Sequence, residues 1–404
     1  MEKTQTPQQS GPQGSIAVNY TFFVAYMVGL SAFGSFVNDM YLPSLPEMTR
    51  YFDCSVSMVQ MGLTTGMIGL GVGQFLMGPI SDKYGRKIVL VWSLLVFCVA
   101  AVASVFSHSI HEFLCWRLIQ GMGASGGYFL ARTIPADVYG GRTLAKTMAL
   151  IGAINGFAPA MAPVFGGFIS DNWTWKAVFW VLAVLSIILI LCSKRLKETL
   201  PPERRYTGKL ADSFKNYGTL LRNRRFMVHV LLKGSALGVL FAYTSSAPFI
   251  IQDHYGYSET VFGLFMGLNS IFVAAGAMVA LKFKVLKYAG VVGAFGLLAV
   301  MCALCPVLWF VHDFWAYELL LMPMIFCLGM IFTTGNTLAM NEGRADAGTA
   351  SAILGIMGYV FGAVVAPLVG QGDIMHSTAI VFAVMAVITC LAALLTARIP
   401  ADLQ

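Results

Sequence analysis

Charged side chains are what this 404-residue chain has least of. Asp, Glu, Lys and Arg together make up 11 % of it, against about a quarter in an ordinary soluble domain. Hydrophobic residues make up 57 % and the mean hydropathy is +0.74. That balance excludes a disordered chain and argues against a water-soluble globule, so the solvent for most of the chain is lipid. Other absences narrow the chemistry. No group of His, Cys, Asp or Glu has metal-ligand spacing, and no nucleophile–base arrangement stands out. Neither an enzyme, a metal site nor a cofactor is therefore expected. The phosphate loop GxxxxGK[ST] is missing, which argues against an ATP-driven pump. Most of the eight cysteines fall inside apolar runs. Cys302 and Cys305 form a CxxC, but without His or acidic partners they read as small packing residues rather than a redox or zinc pair. No compact signal-peptide pattern opens the chain. Residues 1–18 begin polar, rich in Gln, Pro and Ser, and read as a short disordered tail.

Apolar runs fill the remainder. A helix needs about 20 apolar residues to cross the hydrocarbon. That ruler gives twelve spans: Asn19–Leu42, Ser57–Gly78, Ile88–Phe106, Glu112–Pro135, Lys146–Ile169, Ala177–Ser193, Phe226–Ile251, Thr260–Leu281, Tyr288–Val311, Tyr317–Met340, Gly348–Gly370 and Thr378–Ala397. With both termini cytoplasmic, 21 of the 26 Lys and Arg residues lie in cytoplasmic segments and only Arg50 and Lys176 lie outside. This is a strong positive-inside signal, and it accounts for the net charge of +7 without nucleic acid. The longest loop, 194–225, is basic and contains Pro201-Pro202. It divides the chain into a six-span bundle at 19–193 and another at 226–404. Gly62-Leu63-Thr64-Thr65-Gly66 and Gly263-Leu264-Phe265-Met266-Gly267 recur at an offset of 201 residues. The expected fold is thus an all-α membrane protein of twelve transmembrane helices in two pseudo-symmetric six-helix bundles, a transporter architecture.

Several motifs stand out against that background. Gly78-Pro79-Ile80-Ser81-Asp82-Lys83-Tyr84-Gly85-Arg86-Lys87 lies between spans two and three. Glycines there permit a tight turn, and Asp82 can pair with nearby cations. Asp39-Met40-Tyr41-Leu42-Pro43 closes span one, Arg117-Leu118-Ile119-Gln120-Gly121 opens span four, and Ala162-Pro163-Val164-Phe165-Gly166-Gly167 ends span five. Ser246-Ala247-Pro248-Phe249 ends span seven, and Gly348-Thr349-Ala350-Ser351-Ala352 starts span eleven. The first motif resembles the GxxSDRxGRR signature of the major facilitator superfamily, with Lys83 where Arg is commoner. Together the motifs resemble the Bcr/CflA branch of drug:proton antiporters. The resemblance implies multidrug efflux by proton antiport. It also implies a cytoplasmic latch in which Asp82 and Arg86 take part. An endogenous metabolite, imported or exported, is the alternative substrate.

Asp39 carries the functional reading. A carboxylate inside a span costs several kcal/mol unless it is neutralised, paired or hydrated, so a protonated form is accessible at working pH. The bland alternative is an interfacial carboxylate, because Pro43 follows closely. The resemblance implies that Asp39 carries the coupled proton. A second acidic residue two turns earlier, present in some relatives, is replaced by Ser31. Arg117, at similar depth in span four, is its expected partner, with Gln120 one turn along. The alternative for Arg117 is snorkelling to the interface.

Gly121 to Gly126 match GxGxxG, but inside a membrane span they read as helix-packing residues. Pro159, Pro163, Gly166 and Gly167 are expected to bend span five. Lys233 either snorkels or lines a cavity. Glu318, at the start of span ten, reads as interfacial. Arg132 and Asp137 are assigned to the cytoplasmic charge network with Asp82 and Arg86. With 29 Phe, 15 Tyr and 22 Met, a plastic apolar pocket is available. Tyr41, Gln120, Tyr128, Asn155, Lys233, Tyr243 and Asn269 are the candidates to orient a ligand in it. The expected partners are a small-molecule substrate, protons and the lipid bilayer of the inner membrane, with the chain a monomer.

Overall fold

The computed structural model describes residues 19–206, 215–344 and 347–399. The expected 1–18 tail lies outside them. Among the described residues there is no strand. The helices are α1 (Tyr20–Asp39), α2 (Leu45–Phe52), α3 (Val56–Tyr84), α4 (Arg86–Val105), α5 (Ile110–Val138), α6 (Gly141–Asn172), α7 (Trp175–Ser193), α8 (Lys215–Arg222), α9 (Arg224–Pro248), α10 (Glu259–Ala280), α11 (Leu286–Pro306), α12 (Phe314–Glu342), α13 (Ala347–Leu368) and α14 (Ile374–Ala397). Leaving out the short α2 and α8, twelve long helices remain. Eleven segments built on them are long and apolar enough to cross a membrane. The long helix outside that set is α5, which carries Glu112, Arg117, Gln120, Arg132 and Asp137. A helix this polar is stable in lipid only when neighbours cover it. They do: α1, α3 and α4 all pack against α5.

Local chemistry explains where the helices start and stop. Asn19, Ser55, Ser109, Asn223, Ser258, Asp313 and Asp373 each accept a backbone N–H of the helix that follows, as good N-caps do. The N–H of His376 holds the Asp373 carboxyl below the usual carboxylate range. Several helices outrun the hydrocarbon. The α3 helix continues through Pro79 to Tyr84, so the Gly78–Lys87 motif is helical for most of its length. Its turn falls at Gly85, whose φ of +101° suits glycine.

The packing is duplicated. In the first half, α3 and α4 pack on α5, α7 on α4, and α1 on α5 and α6; in the second, α10 and α11 pack on α12, α14 on α11, and α9 on α12 and α13. The halves meet along two crossings, α3 with α13 and α6 with α10. Small residues make them possible: a Cβ on Gly167 of α6 would run into the backbone carbonyl of Glu259, and one on Gly263 of α10 would lie 3.0 Å from the Pro163 carbonyl carbon.

Six polar contacts tie the halves together on the side away from the 194–225 linker. Arg50 pairs with Asp253 at 3.1 Å. Gln252 donates to the Pro43 carbonyl at 2.9 Å and Thr260 to Asp171 at 2.6 Å. Deeper in, Gln60 donates to the Ser245 carbonyl at 2.9 Å, Ser57 to that of Pro367 at 2.8 Å and Thr64 to that of Ala363 at 3.0 Å. Toward the linker face, by contrast, a Cβ on Gly152 or Gly156 of α6 would meet nothing within 4 Å. The halves are closed on one face, while toward the other α6 stands uncovered by the second half at Gly152 and Gly156.

The same substitution should therefore have opposite effects along α6. Gly152→Ala gains about 0.5–1 kcal/mol of helix stability, whereas Gly167→Ala loses about 1–3 kcal/mol by overpacking the seam. Thermal unfolding of the two purified variants checks the signs.

Candidate functional site

A cavity of about 390 Å³ lies between the halves. The first half lines it with Gly34, Ser35, Asn38 and Asp39 of α1, Tyr128 of α5, and Asn155, Gly156 and Pro159 of α6. The second half adds Lys233, Phe241 and Tyr243 of α9, Met266 and Asn269 of α10, and Tyr359 of α13, among others. An apolar wall with a few fixed polar groups is the usual make-up of a small-molecule site.

Asp39 is the last residue of α1. The helix closes with the Met40 N–H on the Phe36 carbonyl, and the chain then turns through Leu42–Ser44 with Pro43 at its start. This places the carboxylate on the cavity wall at the seam. The expected pairing with Arg117 is not there. Among the described residues no ion pair involves either side chain. Arg117 is 0 % exposed and points into the first half. It donates to the carbonyls of Gly62 at 3.3 Å and Val37 at 3.4 Å, and to Gln120. Its guanidinium lies 4.3 Å from the centre of the Tyr41 ring. The reason is azimuthal. Val37 and Asp39 are two residues apart, so they point about 200° apart around α1. The face that meets Arg117 is the one Asp39 turns away from. Tyr41 and Gln120, expected in the pocket, instead form the shell around Arg117 and do not line the cavity.

The other five ligand-orienting candidates, Tyr128, Asn155, Lys233, Tyr243 and Asn269, are on the cavity wall. Ser31 donates to Asn155 at 2.6 Å, and Lys233 donates to Asn336 at 2.9 Å. Asn269 donates from one amide nitrogen to the Tyr243 hydroxyl at 2.9 Å and to Glu318 at 2.7 Å. Glu318 is the residue that sequence reasoning misplaced: it is not interfacial but 0 % exposed. The internal offset held the signal, since adding 201 to Arg117 lands on Glu318.

On the linker face, Arg86 pairs with Asp82 at 2.6 Å and Asp137 at 2.9 Å. Glu198 of the linker accepts the N–H groups of Arg86 at 2.9 Å and Lys87 at 3.2 Å, capping α4. Arg132 does not join this cluster. It donates to the Tyr128 hydroxyl at 2.6 Å, with its guanidinium 4.5 Å from that ring's centre. Residues 128 and 132 share a helix face, and residue 137 lies on another. The α6 helix runs unbroken from Gly141 to Asn172 with both prolines inside. Pro159 lines the cavity, Gly166 admits the Met40 carbonyl, and Gly167 admits that of Glu259. These residues serve close approach of helices.

Two six-helix halves closed over a central cavity on one face define a membrane transporter, not an enzyme. Residues 27–367 match the Major Facilitator Superfamily, and the chain belongs to it. It is 35 % identical over 380 residues to the uncharacterized MFS-type transporter YdgK of Bacillus subtilis, covering 89 % of this chain and 93 % of that one. It is 26 % identical to a bicyclomycin resistance protein homolog of Haemophilus influenzae, covering 87 % and 89 %. It is 27 % identical to the multidrug resistance protein MdtL of Escherichia coli O81, covering 57 % and 59 %. The last two names agree with the Bcr/CflA resemblance. Among solved structures, a bacterial homolog of the human lysosomal transporter Spinster, inward-facing and occupied, superposes with a TM-score of 0.77 at 14 % identity, covering 95 % and 98 %. The xylose transporter XylE from E. coli, partially occluded and inward open, gives 0.72 at 14 % identity, covering 95 % and 100 %. Both show the shared fold.

The burial of Arg117 without a carboxylate makes a specific prediction. A buried charge without a counter-charge is costly, and an apolar side chain of similar length removes that cost. Arg117→Met should therefore raise the unfolding temperature while reducing transport. A lowered unfolding temperature would show that its hydrogen bonds outweigh its desolvation.

Proposed function

We propose that the protein is a proton-coupled antiporter that exports small amphiphilic, drug-like molecules by alternating access. One observation carries the reading: Asp39 lies on the wall of the cavity between the two halves, with no cation paired to it among the described residues. Its carboxylate is half-buried on the cavity wall. Closing the linker face would enclose the charge among apolar walls, at a cost of several kcal/mol. A proton removes that cost by neutralising the carboxylate, and a bound cationic ligand removes it by pairing. Either one licenses closure, and an ionised, empty site does not. That exclusion is the physical basis of exchange, because each ligand makes its own trip across.

The identity of the face follows from charge. The linker and the neighbouring ends of the helices hold most of the Lys and Arg, so the positive-inside rule assigns this face to the cytoplasm. Both termini then lie on the cytoplasmic side of the inner membrane, and the cavity is open inward. Under this assignment the chain functions as a monomer, with its proposed units at 19–193 and 226–404 joined by the 194–225 linker. The Asp82–Arg86–Asp137 cluster and Glu198 brace the cytoplasmic end of the first half, and the cavity takes amphiphiles on its aromatic wall. The resistance names of two relatives support a drug-like substrate.

Proteoliposomes with an imposed pH gradient test the reading, with ethidium as the transported probe. Wild-type protein should accumulate the probe uphill in the compartment from which protons flow. Asp39→Asn should bind the probe but drive no accumulation. Uphill transport by Asp39→Asn would remove Asp39 from the coupling. Accumulation down the proton flow would favour a proton-linked importer.

A further inference from the structure

Every acid in the membrane interior must be accounted for, and Glu318 has no part in the scheme above. It lies on α12, one turn from the helix start, and is 0 % exposed. Its surroundings are unusual in what they withhold. Among the described residues no cation pairs with it. One carboxyl oxygen, Oε1, accepts from the Asn269 amide nitrogen at 2.7 Å. The other, Oε2, is buried without a partner, and so is the Asn269 amide oxygen, Oδ1. A carboxylate can only accept hydrogen bonds, so two buried acceptors on neighbouring side chains are left without a donor.

A proton on Oε2 resolves that deficit. It turns Oε2 into a donor, and Oδ1 of the same amide that already donates to Oε1 is an acceptor for it. Neutral Glu318 and Asn269 then satisfy one another through two hydrogen bonds, as an acid and an amide do. The remaining amide hydrogen stays on the Tyr243 hydroxyl at 2.9 Å.

We propose that Glu318 is a second proton-binding site, separate from Asp39, held in the other half and linked to the cavity through Asn269 and Tyr243. The proposal rests on the reading of the protein as proton-coupled. Both linking residues line the cavity, so a ligand that engages them competes for the hydrogen bonds that hold Glu318. The chemistry is simple: one proton from water adds to Oε2, later returns to water, and no other bond changes. Tyr317 is the residue before Glu318 on α12, and its ring centre lies 6.5 Å from that of Tyr255. Among the described residues the groups on the helices packed against the site offer no competing charge. The α10 helix has no titratable side chain after Glu259, and α9 brings Tyr243, with Lys233 ten residues further toward the linker face. The C-terminal end of α11 carries Cys302 and Cys305, and the middle of α13 carries Tyr359. Asp313 caps the start of α12.

Infrared difference spectroscopy tests this with no substrate present. The full-length protein, reconstituted in lipid, is cycled between about pH 6 and about pH 9, a window in which ordinary exposed carboxyls stay ionised. Wild type should show two carboxylic C=O bands. Glu318→Gln should lose one, and Asp39→Asn the other. Asn269→Leu, which leaves the acid in place but removes its donor, should move the Glu318 band to higher frequency. Superimposable spectra for wild type and Glu318→Gln would overturn the proposal, as would an unshifted band in Asn269→Leu. Loss of a band in Glu318→Gln with no change in Asp39→Asn would sink the Asp39 coupling scheme and leave this inference standing.

Discussion

The α3–α13 and α6–α10 crossings hold the two six-helix halves together, and the cavity, the seam and the place of Asp39 on the cavity wall all follow from where those crossings are tight. The contacts are backbone to backbone at Gly167 and Gly263, with polar ties from Arg50–Asp253 inward to Thr64. Packing of this kind is bistable rather than elastic. In the alternating access proposed above the halves rock as bodies, and the contacts along these crossings are re-made on the other face. A residue at the seam therefore changes its environment more between states than any residue inside a half. Among the described residues, Asp39 is the acid that lines the cavity between the halves.

The two halves treat charge in complementary ways at equivalent places. Position 117 of α5 holds a buried arginine, and position 318 of α12, one repeat later, holds a buried glutamate. Each is the polar centre of the helix that its half wraps most closely. Each is tied to the neighbouring helix of its own half: Arg117 to the Gly62 carbonyl of α3, Glu318 to Asn269 of α10. Duplication supplied the frame, and divergence placed a fixed cation in one half and a titratable acid in the other. Arginine stays charged under essentially all conditions, so only the second half gained a group able to exchange a proton at this position.

Hydropathy made the twelve helices legible in the sequence, and the lysine and arginine distribution made one face legible as basic. Length and composition report depth in the membrane, and depth was enough to place Asp39 near the end of α1. They do not report azimuth. That is why Asp39 and Arg117, correctly set at similar depth, appeared to be partners when α1 turns one of them away. Burial by neighbours was also invisible. Glu318 reads as interfacial because it stands four residues into its helix, and only the fold shows Tyr255, Tyr317 and Phe314 gathered around that end. Arg132 was assigned to the wrong cluster for a local reason, since the i, i+4 contact with Tyr128 outweighs proximity in sequence to Asp137. The prolines of α6 were read for helix shape, because proline removes a helix hydrogen bond. In a packed membrane bundle the same residues, with their adjacent glycines, let carbonyl groups of neighbouring helices come close.

The central claim is that the charge state of Asp39 sets which face of the seam is open. Distances between spin labels at Leu150 on α6 and Met278 on α10 test it most directly. Both positions are exposed and belong to opposite halves. In wild-type protein the distance distribution should shift from long to short as acidification neutralises Asp39, and in Asp39→Asn it should stay at the short distance at every pH. A wild-type distribution that does not respond to pH, or an Asp39→Asn distribution that responds as wild type does, would contradict the account.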